Sequence, residues 1–100
     1  MGQDTLKITI QTDDKEMSMK LEGRVAGPWV AELRRVWAET APLLGTKTLS
    51  IDLQNVIYAD APGKQVLQQI YAETHARLIV SSLWAQYLAE EITGSQAQAS

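Results

Sequence analysis

The fold of this chain is decided by one stretch, IDLQNVIYADAPGK, which covers residues 51–64. Its first half alternates apolar and polar side chains, as in a strand with one buried face. Its second half carries Pro62, and proline favours the first helical position, where its missing N–H is not needed. We therefore predict a strand over residues 48–54, a loop over residues 55–61 that contains Asp60, and a helix that begins at Pro62.

Strands and helices alternate on both sides of this stretch. The patterns predict strands at residues 5–11, 16–22 and 76–80, and helices at residues 28–44, 62–74 and 83–92. Strands that are joined through a helix pair in parallel, by right-handed crossovers. Each alternating strand has one apolar face, which indicates a sheet that is buried on one side. The predicted fold class is α/β, a four-stranded mixed sheet in the order β-β-α-β-α-β-α, with its helices mainly on one face.

The length of 100 residues is enough for one domain and not for two. We expect a single domain over residues 5–94, an N-terminal extension over residues 1–4 and a disordered polar tail over residues 95–100. The formal net charge is -3, and the Lys and Arg residues are scattered along the chain. A nucleic-acid-binding domain carries a basic patch or stripe. We therefore exclude nucleic acid as a partner.

Several kinds of chemistry are excluded by the residue types. The chain has no cysteine, and its one histidine, His75, has Glu73 as its sole acidic neighbour, so we predict no metal site and no cofactor. No serine lies in a nucleophile-elbow pattern, and we expect a protein that is not an enzyme. No apolar run approaches the roughly 20 residues of a membrane span. We expect a cytoplasmic protein without a direct membrane span.

The tryptophans of the helices are expected in the core. Trp29 and Trp37 share the apolar stripe of the first helix, and Trp84 lies on that of the third. Because aromatic side chains dominate core burial, we predict that all three are buried. The third helix could instead expose an aromatic patch of Trp84, Tyr87 and Leu88, in which Tyr87 is the better candidate for an exposed residue.

The element order, the chain length and the central stretch together resemble the STAS domain, a family of bacterial anti-anti-sigma factors and sulfate-transporter C-terminal domains. The similarity runs from Leu6 to Ile92, and its matching pieces are LEGRV at 21–25, LSIDLQNVIYADAPG at 49–63 and ARL at 76–78. In the family's signature loop, an aspartate at the strand end is followed by a second aspartate, two small hydroxyl residues and a glycine. The resemblance implies this fold and a protein-binding surface at the loop.

One departure from the family pattern bears on regulation. In regulated members, the residue directly before the glycine is a serine or threonine that a partner kinase phosphorylates. The matching position here is Pro62, and Ala61 precedes it, so neither residue can carry a phosphate. A phosphate would add about −1.5 to −2 charge at this surface. We therefore predict a degenerate phosphoacceptor position and a loop without Ser/Thr phosphorylation control.

The resemblance implies a non-enzymatic interaction module of signal transduction and transcription regulation, similar to anti-sigma factor antagonists. Its partner would be an anti-sigma-type kinase or another regulatory or transport ATPase. For Asp60 two roles stay open together, capping the helix and contacting the partner. The predicted partner-binding residues are Arg24, Tyr58, Asp60, Ala61, Pro62, Gly63 and Lys64, with Gln65, Gln68 and the turn at residues 24–27 beside them.

Two other functions stay open. Some STAS proteins are soluble subunits of membrane transport complexes, such as ABC-type lipid transporters, and a subunit of this kind would bind the transporter's ATPase. Others bind nucleotides or lipids, which predicts a small-ligand-binding domain. A homodimer also stays open, because an alternating strand with a polar outer face leaves an edge that can pair.

Overall fold

The computed structural model describes residues 5–94. Its elements are β1 (Leu6–Thr12), β2 (Glu16–Val25), α1 (Pro28–Leu44), β3 (Thr48–Ala59), α2 (Ala61–Thr74), β4 (Arg77–Ile79) and α3 (Leu83–Thr93). The predicted order of strands and helices is confirmed. The predicted N-terminal extension and polar tail lie outside the described residues.

The four strands form one mixed sheet in the order β1-β2-β3-β4. β1 and β2 are antiparallel, and in the turn between them the Asp13 carboxylate accepts hydrogen bonds from the Lys15 and Glu16 amides, both at 2.8 Å. β2 and β3 are parallel, as are β3 and β4, and each parallel pair is connected through a helix. Parallel neighbours need such a crossover, so α1 and α2 both begin at the carboxyl end of a strand.

The core lies on one face of the sheet. The fully buried strand residues are Met17, Met19, Leu21, Val25, Leu49, Ile51 and Leu53. All three helices contribute buried side chains to the same cluster, including Leu33 of α1 and Leu67 of α2. The opposite face carries polar residues such as Lys7, Thr9 and Lys20, which line an open concavity. The predicted fold class, with helices mainly on one face, is confirmed.

β3 is longer than predicted. The loop expected over residues 55–61 is wrong, because the strand continues to Ala59 and only Asp60 separates it from α2. The pairing of β3 with β2 shifts register twice, and at each shift β3 has one residue more than β2, as in a β-bulge. In the first bulge, the Asp52 carboxylate accepts a hydrogen bond from the Gln54 amide at 2.9 Å. The bulges break the two-residue period of the apolar side chains, so the sequence pattern ended before the strand did.

Other element bounds differ from the predictions by a few residues. β2 extends to Val25, since Arg24 and Val25 pair with the far end of β3. α2 begins at Ala61, which puts Pro62 at its second position. β4 covers three residues, where residues 76–80 were predicted. The extended ends of β2 and β3 bring the two strand–helix junctions next to each other.

The prediction of three buried tryptophans is wrong for Trp84. Trp37 is buried, and Trp29 packs against the core as a partly buried residue. Trp84 is 39% exposed, and the side chain that α3 buries in this turn is that of Ala85. A small residue lets the helix approach the close-packed core, which leaves the indole at the rim. Tyr87 is exposed, as predicted.

Candidate functional site

Asp60 joins two chain connections at the carboxyl end of the sheet. It is the N-cap of α2, and its Oδ1 accepts a hydrogen bond from the Gly63 amide at 2.8 Å. Its Oδ2 accepts one from the Gly27 amide, at the start of α1, at 3.0 Å. Its own amide donates to the Val25 carbonyl at 3.2 Å. One aspartate therefore fixes the start of α2 against the connection between β2 and α1.

The charge of Asp60 is stabilised by these contacts. Hydrogen bonds from the Gly27 amide and then from the Gly63 amide lower the pKa of its carboxyl below the ordinary value for aspartate. The group also lies at a helix N-terminus, where a negative charge is favourable. The capping role predicted for Asp60 is confirmed, while its contact with a partner stays a prediction.

Gly63 is buried and lets two backbone segments approach closely. A Cβ at this position would lie 2.1 Å from the Val25 carbonyl oxygen and 3.1 Å from Asp60 Oδ1. Only glycine therefore allows the first turn of α2 to rest on the end of β2. Gly63, which was predicted among the partner-binding residues, lies beneath the surface that its neighbours form.

The other predicted residues of this turn reach the surface. Ala61 and Pro62 are exposed at the start of α2. Lys64 is half-buried and forms an ion pair with Glu91 of α3, with 2.8 Å between Nζ and Oε1. The start of α2 therefore presents two small apolar side chains to solvent, with a charge pair beside them.

Arg24 and Tyr58 lie side by side on paired strands. They are register partners of β2 and β3, and the Arg24 guanidinium lies 4.7 Å from the centroid of the Tyr58 ring. This is the distance of a cation–π contact. Tyr58 lies on β3 and is 42% exposed. The end of the sheet thus brings Arg24 and Tyr58 together with Asp60 and the start of α2.

A groove beside this junction was not part of the predicted binding site. Three exposed aromatic side chains line it, Tyr58 of β3 with Trp84 and Tyr87 of α3, and its volume is ≈ 300 Å³. Lys64 and Glu91 lie along its wall. We call this concavity the aromatic groove. The i,i+3 spacing of Trp84 and Tyr87 was a signal for it, but the prediction of a buried Trp84 removed α3 from the site.

A second concavity separates α2 from α3 and shares Lys64 and Glu91 with the aromatic groove. Its volume is ≈ 420 Å³, and it is otherwise lined by Ala61, Gln65, Gln68, Glu90 and Gly94. Gln68 Nε2 donates a hydrogen bond to the Glu91 carbonyl at 2.9 Å, which links the two helices. Gln65 and Gln68, predicted as neighbours of the site, therefore line this second concavity.

Metal-binding residue types do not cluster in the part of the chain that the structure describes. Within residues 5–94, no group of three or more His, Asp or Glu side chains could hold a metal ion. His75 is the C-cap of α2, has a positive φ of 54° and lies next to the Tyr71 ring. Across the same residues, every helix is too short or too polar to cross a membrane.

No protein-family model matches the chain, and no curated protein matches it. The resemblance to the STAS domain therefore rests on the sequence motifs, together with an order of elements that agrees with the one it implied.

Proposed function

We propose that this protein is a non-enzymatic STAS-type interaction module, similar to anti-sigma factor antagonists, that binds a regulatory kinase or ATPase. Its binding surface consists of the start of α2, the pair of Arg24 and Tyr58, and the aromatic groove. This surface lies at the carboxyl ends of parallel strands, where open α/β sheets bind their ligands. Binding takes place without Ser/Thr phosphorylation at the junction of β3 and α2.

The observation that supports this proposal is the exposure of three aromatic side chains around one groove. Tyr58 is 42% exposed, Trp84 39% and Tyr87 61%. Clustered apolar residues on a surface mark interaction sites more reliably than single ones. Tyrosine and tryptophan are also enriched at interface hot spots, since they bury a large area and keep a polar group at their tip. The groove adjoins the turn at which the STAS resemblance places the partner.

The shape of this surface is fixed by its own hydrogen bonds. Asp60 anchors the start of α2 to Gly27, so little backbone ordering remains to be done on binding, and a preorganised surface binds at lower entropic cost. Ala61 and Pro62 offer no hydroxyl. The Ser82 hydroxyl belongs to a different helix start, that of α3, where its Oγ accepts a hydrogen bond from the Ala85 amide at 3.0 Å as the cap. We infer that binding follows the concentration of the partner and not the phosphorylation of the junction of β3 and α2.

The test uses an anti-sigma-type kinase or ATPase from the same organism, identified by copurification with this protein. Isothermal titration calorimetry measures the dissociation constant with and without ATP, and mass spectrometry measures phosphate on the chain. We expect binding in both conditions and no phosphate within residues 56–65. Trp84→Ala or Tyr87→Ala should each weaken binding by about 30-fold, or ~2 kcal/mol, as expected for a hot-spot side chain.

Leu43→Ala is the matched control for this experiment. Leu43 is 68% exposed on α1 and does not line the aromatic groove, so its loss should leave the dissociation constant unchanged. Stoichiometric phosphate within residues 56–65, or binding that survives the loss of both Trp84 and Tyr87, would contradict the proposal. Copurification with a transporter ATPase would favour the transport-subunit hypothesis instead.

A further inference from the structure

The two edges of the sheet differ in how they are protected. β4, at one edge, has 3 residues, whereas β1, at the other, has 7. Native sheets protect long edges with bulges, prolines, inward-pointing charges or charged side chains along the edge, lysine above all. β1 pairs with β2 without a register shift, its sequence LKITIQT contains no proline, and its one charge, Lys7, lies on the polar face. Among the described strands, β1 is therefore a long and regular edge.

Two hydrogen bonds define which backbone groups face the open side of β1. The Arg24 amide donates to the Thr5 carbonyl at 3.2 Å, and the Asp13 amide donates to the Glu16 carbonyl at 2.8 Å. The two residues joined by each bond lie directly opposite each other, so they form hydrogen-bonded pairs. In an antiparallel ladder, hydrogen-bonded pairs alternate with pairs that are not hydrogen-bonded. Lys7, Thr9 and Gln11 are then the residues bonded to β2. The N–H and C=O groups that face away from β2 belong to Leu6, Ile8, Ile10 and Thr12.

We propose that β1 pairs antiparallel with β1 of a second copy of this chain, on a two-fold axis that passes through Thr9. In this register Ile8 lies opposite Ile10 of the second copy, and Leu6 lies opposite Thr12. These are the residues whose backbone groups face the open side, so each of them enters a hydrogen-bonded pair. The two mixed sheets become one continuous sheet.

The side chains of β1 suit this pairing on both faces. Ile8 and Ile10 are partly buried at the rim of the core, and across the axis they would cover each other as β-branched cross-strand pairs. On the polar face, Lys7 lies opposite Gln11 of the second copy and Thr9 lies opposite itself, so no like charges meet. A two-fold axis through Lys7 would instead bring two lysines together. The strand is therefore complementary to itself in the register centred on Thr9.

The proposed contact is small. It is limited to one strand from each copy and the adjoining side chains, which is typical of small and transient interfaces. We expect a reversible dimer whose fraction rises with concentration. β1 contributes no residue to the aromatic groove, so this inference does not depend on the proposed function.

Single-cysteine variants test the register, since the chain has no cysteine of its own. Thr9→Cys places two thiols in a pair whose Cα atoms lie about 4.5 Å apart, within the range of a disulfide. Gln11→Cys is the matched control on the same face of the same strand, and its two Cα atoms would lie about 14 Å apart. Under mild oxidation, Thr9→Cys should form the covalent dimer at least about tenfold faster.

A charge variant tests the same axis without oxidation. In Thr9→Glu, the introduced carboxylate lies opposite Lys20 of β2 within one copy, which is favourable. Across the two-fold axis it lies opposite the same carboxylate of the second copy, and this repulsion is unfavourable. Sedimentation equilibrium should show dimers for the wild type and for the neutral Thr9→Gln, and monomers for Thr9→Glu. Added salt should partly restore the Thr9→Glu dimer, because the screening length falls to about 3 Å at 1 M. Circular dichroism checks that each variant is folded.

Three results would overturn this proposal. The first is a wild-type protein that is monomeric at about 1 mM, where even weak complexes form. The second is an equal rate of cross-linking for Thr9→Cys and Gln11→Cys. The third is a dimer that Thr9→Glu does not weaken, since such a dimer uses another surface.

Discussion

The Asp60 carboxylate binds backbone amides from two separate connections. An N-cap side chain accepts from its own helix, and Asp60 also accepts from Gly27, 33 residues earlier in the chain. Both carboxylate oxygens of Asp60 accept a hydrogen bond. Asparagine cannot replace Asp60, because its side chain has one acceptor oxygen and one donor NH₂ group. The sequence predicted the cap, since an aspartate before Pro62 is typical of a helix start. It did not predict the bond to Gly27, which requires β2 and β3 to be neighbours.

Asp60→Asn should lower the free energy of unfolding by about 1–2 kcal/mol at pH 7, because the new amide group would face the Gly27 amide. The folded state lowers the pKa of Asp60, so its stabilising effect is present above the unfolded-state pKa and is lost as the pH falls through the folded-state pKa. The difference between wild type and variant should therefore shrink below about pH 4. Urea unfolding at several pH values measures it.

Asp14→Asn is the control for this experiment, because Asp14 is an exposed aspartate in the turn between β1 and β2. It should change the free energy of unfolding by less than about 0.5 kcal/mol, as is usual for surface substitutions. A loss in Asp60→Asn that is the same at pH 7 and at pH 3 would contradict the role given to the charge.

Gly63→Ala should destabilise the protein by about 2–4 kcal/mol, since the added Cβ forces a shift of packed backbone. The cause is the Val25 carbonyl oxygen, 2.1 Å from the position of that Cβ. Gly94→Ala is the control, because Gly94 has a φ of +75° but no atom within 4 Å of its Cβ position. It should cost about 1 kcal/mol, for the left-handed backbone alone. Thermal unfolding compares the two, and equal losses would contradict the close approach at Gly63.

Among the elements, α3 shows what a helical pattern leaves undetermined. Its bounds and its cap were predictable, because Ser82 precedes the apolar positions and Gly94 follows them, and both residues cap the helix. Its rotation was not predictable, since Trp84 and Ala85 both have helical spacing to Leu88. The space between the helix and the core decides which of the two is buried, and that space depends on the neighbouring elements. For this reason, the predicted binding site did not include the aromatic groove.

The contact between α1 and α2 includes a hydrogen bond that can be removed without a large change of shape. Trp37 Nε1 donates to Glu73 Oε1 at 3.2 Å in a partly buried position. Glu73→Ala also removes the exposed hydrogen bond from Gln69 Nε2 to Glu73 Oε2, and it should lower the free energy of unfolding by about 1 kcal/mol, mainly through the partly buried bond from Trp37. Glu73→Gln keeps an acceptor oxygen and should lose less than half as much. Urea unfolding measures the free energy of unfolding of both variants. An equal loss in Glu73→Ala and Glu73→Gln would show that the hydrogen bond from Trp37 does not stabilise the fold.

The molecule as a whole has one covered and one open face of its sheet, and this division was predictable. Leu6, Ile8 and Ile10 alternate with polar residues, which requires one buried face, and the helices between the later strands supply its cover. The gathering of Arg24 and Tyr58 beside Asp60 was predicted only through the STAS resemblance. Their contact depends on the two register shifts of β3, which no pattern of single residues reveals.

The bond between Asp60 and Gly27 also determines how the proposed binding surface can be imitated. A peptide that copies residues 51–64 contains the junction of β3 and α2 but lacks Gly27, and it lacks the two aromatic residues of α3 as well. The surface is a discontinuous epitope that exists only in the folded domain. Antibodies or inhibitors selected against the linear peptide would recognise the unfolded chain, whereas binders to this site have to be selected on the intact protein.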